Sequence, residues 1–264
     1  MIDALLSLCT AAVGPALPQG WWLAWSLAPA TVLPLAALVA ATALPPGAGL
    51  RLAAGTARRW RLGGCALLAL ALVSPLCRLS ATLASAHMAQ LMVLLAGVGA
   101  LAWGWRPAWP SHAVLRGRDT LVAAAVCHGA LLWLWHVPGV YAAVLTHATV
   151  HVAAYAVLLA SAAWFWMTVM HVHPDRRGAA LIALLATLAH TGLLGALLTF
   201  ATTPLYPLQA AGARAWGLDP IDDQQLAGLL MWVPGSLAYL GSALALALAW
   251  FMPERARGLR LRVG

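Results

Sequence analysis

Long apolar stretches alternate with short polar ones along most of the chain. A membrane-spanning helix needs about 20 apolar residues in a row, with about 17–25 tolerated. Seven stretches meet or approach this length, and no segment between them is long enough to form a soluble domain. The pattern therefore predicts an all-α membrane protein, one polytopic domain over residues 1–264 built as a seven-transmembrane-helix bundle. The predicted spans are about 22–44, 62–77, 85–103, 120–136, 149–170, 179–201 and 225–251.

Prolines punctuate this pattern, because proline lacks the backbone N–H that continues a helix. We expect Pro29 and Pro34 to kink the first span and Pro75 to end the second. Pro138, followed by a glycine, predicts a short turn between the fourth and fifth spans. Pro234, also followed by a glycine, should interrupt the seventh span and free backbone carbonyls there.

Residues 1–20 form a further apolar segment that is too short to span a bilayer. Its only charge is Asp3, so it lacks the positively charged start of a signal peptide. We interpret it as a retained segment on the outer face, with a signal sequence, cleaved or uncleaved, as the alternative. Cys9 in this segment and Cys77 could both face the outer compartment and could pair. Cys65 and Cys127 lie inside apolar runs, where cysteine behaves as a small hydrophobic residue.

Composition supports the membrane assignment. Only 8% of the residues are charged and 63% are hydrophobic, whereas a soluble domain has about a quarter charged residues. The mean hydropathy is +0.85. The net charge of +8 therefore does not indicate a nucleic-acid partner. The partner that this composition predicts is the lipid bilayer.

The arginines indicate how the bundle is oriented. Thirteen of the fifteen fall in the loops after the first, third and fifth spans and in the basic tail, 253–264. The opposite side has only Arg78 and Arg214. Because positively charged loops stay in the cytoplasm, we predict that the N-terminus is outside and the C-terminus is cytoplasmic.

Four histidines then fall at the outer boundary of the membrane: His87, His136, His147 and His151. A single interfacial histidine is commonly only tolerated, but four together indicate a binding site. Imidazole is the commonest metal ligand, and His147 and His151 are four residues apart, on one helical face. Met88 follows His87, and a thioether is a soft ligand suited to Cu(I), although a methionine at helical spacing is more often a packing residue.

Other polar residues in or near the spans are weaker candidates. Asp222 and Asp223 precede the seventh span, where carboxylates favour a helix N-terminus; they could also orient a ligating imidazole. His128 and His190 lie deeper and could hold a haem between two helices. Met231 in the seventh span has the same ambiguity as Met88.

Several short motifs follow one another along the chain. The first is Ser74-Pro75-Leu76, followed by Ser85-Ala86-His87-Met88-Ala89-Gln90. The others are Trp135-His136-Val137-Pro138 with Tyr141, His147 with His151, 194–200 with 204–207, and 223–234. In this order the motifs resemble those of the CtaG-type cytochrome c oxidase assembly factors of bacteria, and the resemblance extends from about Ser74 to Trp250. One position departs from the family pattern: the third span usually has a second histidine where this chain has Leu91.

The resemblance implies a non-enzymatic, multi-pass protein of the bacterial cytoplasmic (inner) membrane that serves oxidase maturation. It also implies a role in copper delivery, with cytochrome c oxidase subunits as partners. On that basis the expected Cu(I) ligands are His87, His136 and His151, with His147 and Met88 as auxiliaries. A membrane b-type haem protein using His128 and His190 and a metal-free scaffold are the alternatives. A homodimer is also possible.

Overall fold

The computed structural model describes residues 9–10, 16–42, 54–105 and 118–251, and this part of the chain is helical without a strand. Short 3₁₀ turns at Trp21–Leu23, Pro174–Arg176 and Pro207–Gln209 join some of the helices. The α-helices are α1 (Pro29–Thr42), α2 (Ala54–Leu72), α3 (Pro75–Thr82), α4 (Ala84–Trp105), α5 (Arg118–His136), α6 (Pro138–Thr146), α7 (Ala148–Met170), α8 (Arg177–Thr199), α9 (Ala210–Ala215) and α10 (Pro220–Phe251). The predicted all-α class is confirmed for these residues.

Four of these helices, α4, α7, α8 and α10, are each long and apolar enough to cross a membrane. Two bent pairs raise the number of candidate spans in the described residues to six: α2 with α3, bent by 48°, and α5 with α6, bent by 79°. The remaining apolar helix, α1, has only 14 residues. The protein is thus multi-pass, while the seventh span and the orientation stay predictions.

Three prolines that were expected to kink or end a span, or to form a turn, begin helices instead: Pro29, Pro75 and Pro138. The first predicted span, 22–44, is wrong in its first part, because α1 begins only at Pro29. The turn predicted at Pro138 is present, because the chain bends by 79° between α5 and α6, but the short loop predicted to follow is wrong, since Pro138 is the first residue of α6. Proline is well suited to the first helical turn, where its missing N–H has no partner to lose and its φ is already helical. Sequence alone does not distinguish this role from a turn.

The prediction that Pro234 interrupts the last span is wrong. α10 runs without a break from Pro220 to Phe251, with Pro234 inside it. The missing N–H removes one backbone hydrogen bond, the one to the carbonyl of residue 230. The carbonyl of residue 230 is therefore free of its helical hydrogen bond, as predicted, although the helix itself is continuous.

The central helix of the bundle is α4, which packs against α2, α3, α7 and α10. Glycines allow the closest approaches between helices. A Cβ on Gly64 of α2 would lie 2.8 Å from the Gly97 carbonyl oxygen of α4. A Cβ on Gly228 of α10 would lie 2.5 Å from the Gly195 carbonyl oxygen of α8. These contacts fix α4 and α10 within the bundle, and both helices contribute to the site described below.

The described part of the N-terminal segment is tied to α3. A disulfide joins Cys9 to Cys77, as the sequence allowed. The backbone N–H of Ala16 donates to Thr82 Oγ1 at 2.8 Å, and Trp216 Nε1 donates to the Ala16 carbonyl at 2.8 Å. The rest of 1–15, and the predicted basic tail 253–264, lie outside the described residues.

Candidate metal centre

One end of the bundle brings together the starts of α4, α7 and α10 and the ends of α5 and α8. We call it the histidine end, because His87, His136, His147 and His151 all lie there. The first three predicted ligands, His87, His136 and His151, are buried. A cavity of about 30 Å³ lies between α4, α5, α6 and α7. Its lining includes His87, Leu91, Trp135, His136, Tyr141 and Tyr155.

His136 faces Met88 across this region. Its Nδ1 lies 2.6 Å from the Leu132 carbonyl, and its Nε2 lies 3.3 Å from Met88 Sδ. A carbonyl can only accept, so Nδ1 carries the proton in the neutral ring and Nε2 presents its lone pair. A thioether sulfur is also an acceptor. Two buried lone pairs therefore face each other without a proton between them.

His87 lies on α4 beside Met88 and also retains a free nitrogen. Its ring hydrogen-bonds to the backbone of Ser80, and its Nδ1 is buried with no partner among the residues that the structure describes. The ring contacts Tyr141 edge to face, with centroids 4.9 Å apart. His87 is close enough to His136 and His151 to interact with both electrostatically. The neutral ring thus also presents a lone pair within the histidine end.

His151, in the first turn of α7, follows the same scheme. Its Nδ1 lies 3.1 Å from the Val144 carbonyl, while its Nε2 is buried and has no partner in the described part of the chain. Its ring stacks on Tyr155 at 4.3 Å. His87, His136 and His151 thus each use one nitrogen on a backbone group and keep the other nitrogen available. Hydrogen bonds of this kind fix the tautomer of metal-binding histidines.

His147 is placed differently. It is exposed, and its Nδ1 lies 2.9 Å from Thr146 Oγ1 and 3.3 Å from the Ala143 carbonyl. It is the single residue between α6 and α7. The structure therefore leaves His147 on the surface, apart from the three buried histidines.

The two acidic candidates separate as well. Asp223 is buried and accepts hydrogen bonds from the backbone N–H groups of Ala84 at 2.7 Å and Ser85 at 3.1 Å. It also accepts from the Ser85 hydroxyl. Asp223 therefore binds the start of α4, one turn before His87, and is not bonded to an imidazole. Asp222 is exposed in the first turn of α10.

The deeper candidates occupy a different level of the bundle. His128 is fully buried, with Nδ1 3.1 Å from Ser161 Oγ and Nε2 3.4 Å from the Tyr239 hydroxyl. Within the described ranges, both ring nitrogens of His190 are buried without a partner. The His190 ring packs against Gly129, where an added Cβ would lie 2.9 Å from Nε2. Met231 is buried and lines a second cavity, below that of His136.

Tyrosines and glutamines support the site, and sequence reasoning assigned them no role. Tyr206 donates to the His136 carbonyl at 3.1 Å, and Tyr141 donates to Gln209 Oε1 at 2.8 Å. Tyr206 stacks on Tyr141 at 4.0 Å. Burial raises the pKa of Tyr206, so its hydroxyl remains a donor. Tyr155 donates to Gln90 Oε1 at 2.8 Å. The signal that could have identified these residues is that each is a polar side chain in or beside an apolar stretch.

The histidine end is not a preassembled site of three charged or imidazole ligands. Within the described residues, no three His, Cys, Asp or Glu side chains are grouped closely enough to hold a metal ion. One imidazole, that of His136, does lie in contact with one thioether, that of Met88.

The chain was compared with known proteins. Curated proteins and solved structures give no significant match. The family model described as cytochrome c oxidase caa3 assembly factor matches residues 38–252. This match covers well over half of the chain and confirms the family that the sequence motifs indicated. The chain belongs to the cytochrome c oxidase caa3 assembly factor family.

Proposed function

We propose that this protein binds Cu(I) at the histidine end and delivers it to a cytochrome c oxidase subunit during assembly. The observation that carries the proposal is the pairing of His136 Nε2 with Met88 Sδ at 3.3 Å. Two buried acceptors placed this close repel each other unless a cation lies between them. A soft ion that binds both nitrogen and thioether sulfur removes the conflict, and Cu(I) is such an ion.

The chemistry of the surrounding donors supports the same metal. The free nitrogens belong to neutral imidazoles. Among the described residues the buried carboxylate is Asp223, and it is bonded to the start of α4. Hard cations such as Mg²⁺ and Ca²⁺ prefer oxygen ligands. A single water needs about 10–15 Å³, and the cavity beside His87 and His136 has about 30 Å³. There is room for one small ion.

Transfer requires that the protein hold its cargo without enclosing it. His136 contacts Met88, His87 and His136 both line the cavity, and His87 interacts electrostatically with His151. A site with two or three protein ligands leaves Cu(I) a position for an incoming ligand. The acceptor subunit can then remove the ion by ligand exchange, so no catalytic group is needed. In this role the protein acts as a metallochaperone and not as an enzyme.

An anaerobic Cu(I) competition titration of the purified protein tests the proposal. His136→Ala and Met88→Leu should each weaken binding by at least about 10–100-fold, the range seen when outer-shell partners alone are lost. His171→Ala is the matched control, because His171 lies at the other end of α7, bonded to the Met167 carbonyl. Equal Cu(I) affinity for the wild type and all three variants would overturn the proposal. An absorption spectrum with a Soret band would favour the haem alternative at His128 and His190.

A further inference from the structure

A second cavity lies one turn deeper along α4. Its volume is about 60 Å³, and its lining includes Met92, Met231, Pro234, Gly235 and Tyr239. Met92 follows Met88 by four residues, so the two share one face of α4 about 6 Å apart along its axis. Leu132 links the two levels: its carbonyl binds His136 Nδ1, and its side chain lines the deeper cavity.

Met92 is seated against the backbone of α10. A Cβ added to Gly235 would lie 2.6 Å from Met92 Sδ, so only glycine leaves space for this sulfur. Met231, one helical turn before Gly235, is 2% exposed. Glycine in the middle of a helix costs about 0.5–1 kcal/mol relative to alanine. Any residue larger than glycine at position 235 would therefore displace the Met92 thioether from its contact with α10.

Polar groups near this cavity are also suited to a cation. Pro234 has no N–H, so the carbonyl of residue 230 lacks its helical hydrogen bond. The Tyr239 hydroxyl is 3.4 Å from His128 Nε2. Thioethers are soft ligands that select Cu(I), and a carbonyl oxygen adds negative potential. None of the described residues that line this cavity carries a carboxylate.

We propose that Met92 and Met231 form a second soft-metal site, one turn inward from Met88, which takes Cu(I) or Ag(I) as a bare monovalent ion. The site deepens the proposed copper function, on which it rests, by giving the ion a second position in the bundle. Met88 lies at the upper site, and Met92, one turn away on the same face, lies at the lower one. An ion can then pass between the histidine end and the middle of the bundle without crossing a fully apolar layer.

The test uses the full-length protein with ¹³C-methyl-labelled methionines and Ag(I) as a redox-inert stand-in for Cu(I). The chain has seven methionines, so each signal can be assigned by a single Met→Leu substitution. We expect the Met88 signal to shift with the first equivalent of Ag(I). Met92 and Met231 should then shift together with the second. Met167 and Met170, at the opposite end of α7, are the internal controls and should stay in place.

Two variants separate binding from packing. Met92→Leu combined with Met231→Leu conserves volume and should reduce bound Ag(I) from about two ions per chain to about one. Gly235→Ala keeps both methionines but displaces the Met92 sulfur, and should cause the same loss. Met167→Leu should keep both ions.

The outcomes distinguish this site from the proposed function. If saturating Ag(I) leaves the Met92 and Met231 signals unchanged while Met88 shifts, the deeper site is wrong and the upper one stands. If Met92 and Met231 shift while Met88 does not, the deeper site stands and the proposed function at the histidine end is wrong. If none of the three signals shifts, both are wrong.

Discussion

The carboxylate of Asp223 accepts hydrogen bonds from both the backbone N–H and the hydroxyl of Ser85. One helix, α10, thereby supplies the N-terminal cap of another, α4. Capping is normally local, made by the residue just before the helix. Here it comes from 138 residues away. The first turn of α4 carries His87 and Met88, so this cap sets the position of two candidate ligands.

We predict that Asp223→Ala destabilises the protein by about 2–3 kcal/mol, because it leaves buried donors at the start of α4 without a charged acceptor. Cu(I) affinity should also fall by about 10-fold or more, as for other residues that orient ligands. Thermal unfolding in detergent and the Cu(I) titration measure the two effects. Asp222→Ala, at the exposed neighbouring position, is the control and should match the wild type. Equal melting temperatures for both variants would contradict this role.

Sequence predicted the helices better than the contacts between them. The apolar stretches located α4, α7 and α8 closely, because a bilayer-length run has few alternatives to a helix. The helix α6 was not predicted, because Pro138 followed by a glycine is compatible with a turn and with a helix start equally well. The two roles suggested for Asp223 were a cap on its own helix or an imidazole partner. Its true partner, the start of α4, depends on packing between distant segments and left no local signal.

The three histidines of the predicted ligand set share a property that spacing could not reveal. Each has one ring nitrogen bonded to a backbone group: Ser80 for His87, Leu132 for His136 and Val144 for His151. The Val144 carbonyl belongs to α6, which sequence had assigned to a loop. The free nitrogens of His87 and His151 follow from these bonds. Sequence could identify the residues but not which nitrogen each one offers.

The contrast between His151 and His147 gives a second prediction. His151 is fully buried with a free Nε2, whereas His147 is exposed and bonded through Nδ1 near the end of α6. We expect His151→Ala to weaken Cu(I) binding and oxidase maturation strongly, and His147→Ala to leave both close to wild type. Cu(I) titration together with metal analysis of the oxidase from cells carrying each variant provides the measurement. If His147→Ala proves the more damaging change at equal protein abundance, the buried nitrogen is not the ligand.

Leu91 gives a third prediction. It lines the cavity with His87 and His136, at the position where the family pattern usually has a histidine. Leu91→His should add an imidazole to the cavity and tighten Cu(I) binding by about 10-fold or more, since one added ligand is worth several times RT. Leu91→Phe fills the same space without a metal-binding nitrogen, and should weaken binding or leave it unchanged. If Leu91→Phe binds Cu(I) more tightly than the wild type, the ion does not occupy this cavity. The same follows if Leu91→His is correctly folded and its Cu(I) affinity is unchanged.

The last prediction concerns the seventh crossing and the orientation. Ser26 donates its N–H to the Val73 carbonyl, which places this part of the chain at the histidine end. Ala57, near the start of α2, lies at the opposite end, where its carbonyl would be 2.9 Å from a Cβ on Gly104. The chain between Ser26 and Ala57 therefore runs from one end of the bundle to the other. Helix α1 covers about 21 Å of an apolar layer about 30 Å thick.

This path supports seven crossings, with the histidine end outside as the arginine distribution predicts. Single cysteines at exposed positions test it in a background without the free Cys65 and Cys127. In intact cells, a membrane-impermeant maleimide should label Gln19→Cys and Ala215→Cys, both at the histidine end. It should label His173→Cys, which follows α7, only after the membrane is permeabilised. If only His173→Cys is labelled in intact cells, the orientation is the opposite of the predicted one. If Gln19→Cys is labelled and Ala215→Cys is not, or the reverse, seven crossings are excluded. Because Cu(I) transfer outside the cytoplasm needs the buried histidines near the outer surface, an inverted result would also contradict delivery to an acceptor on that side.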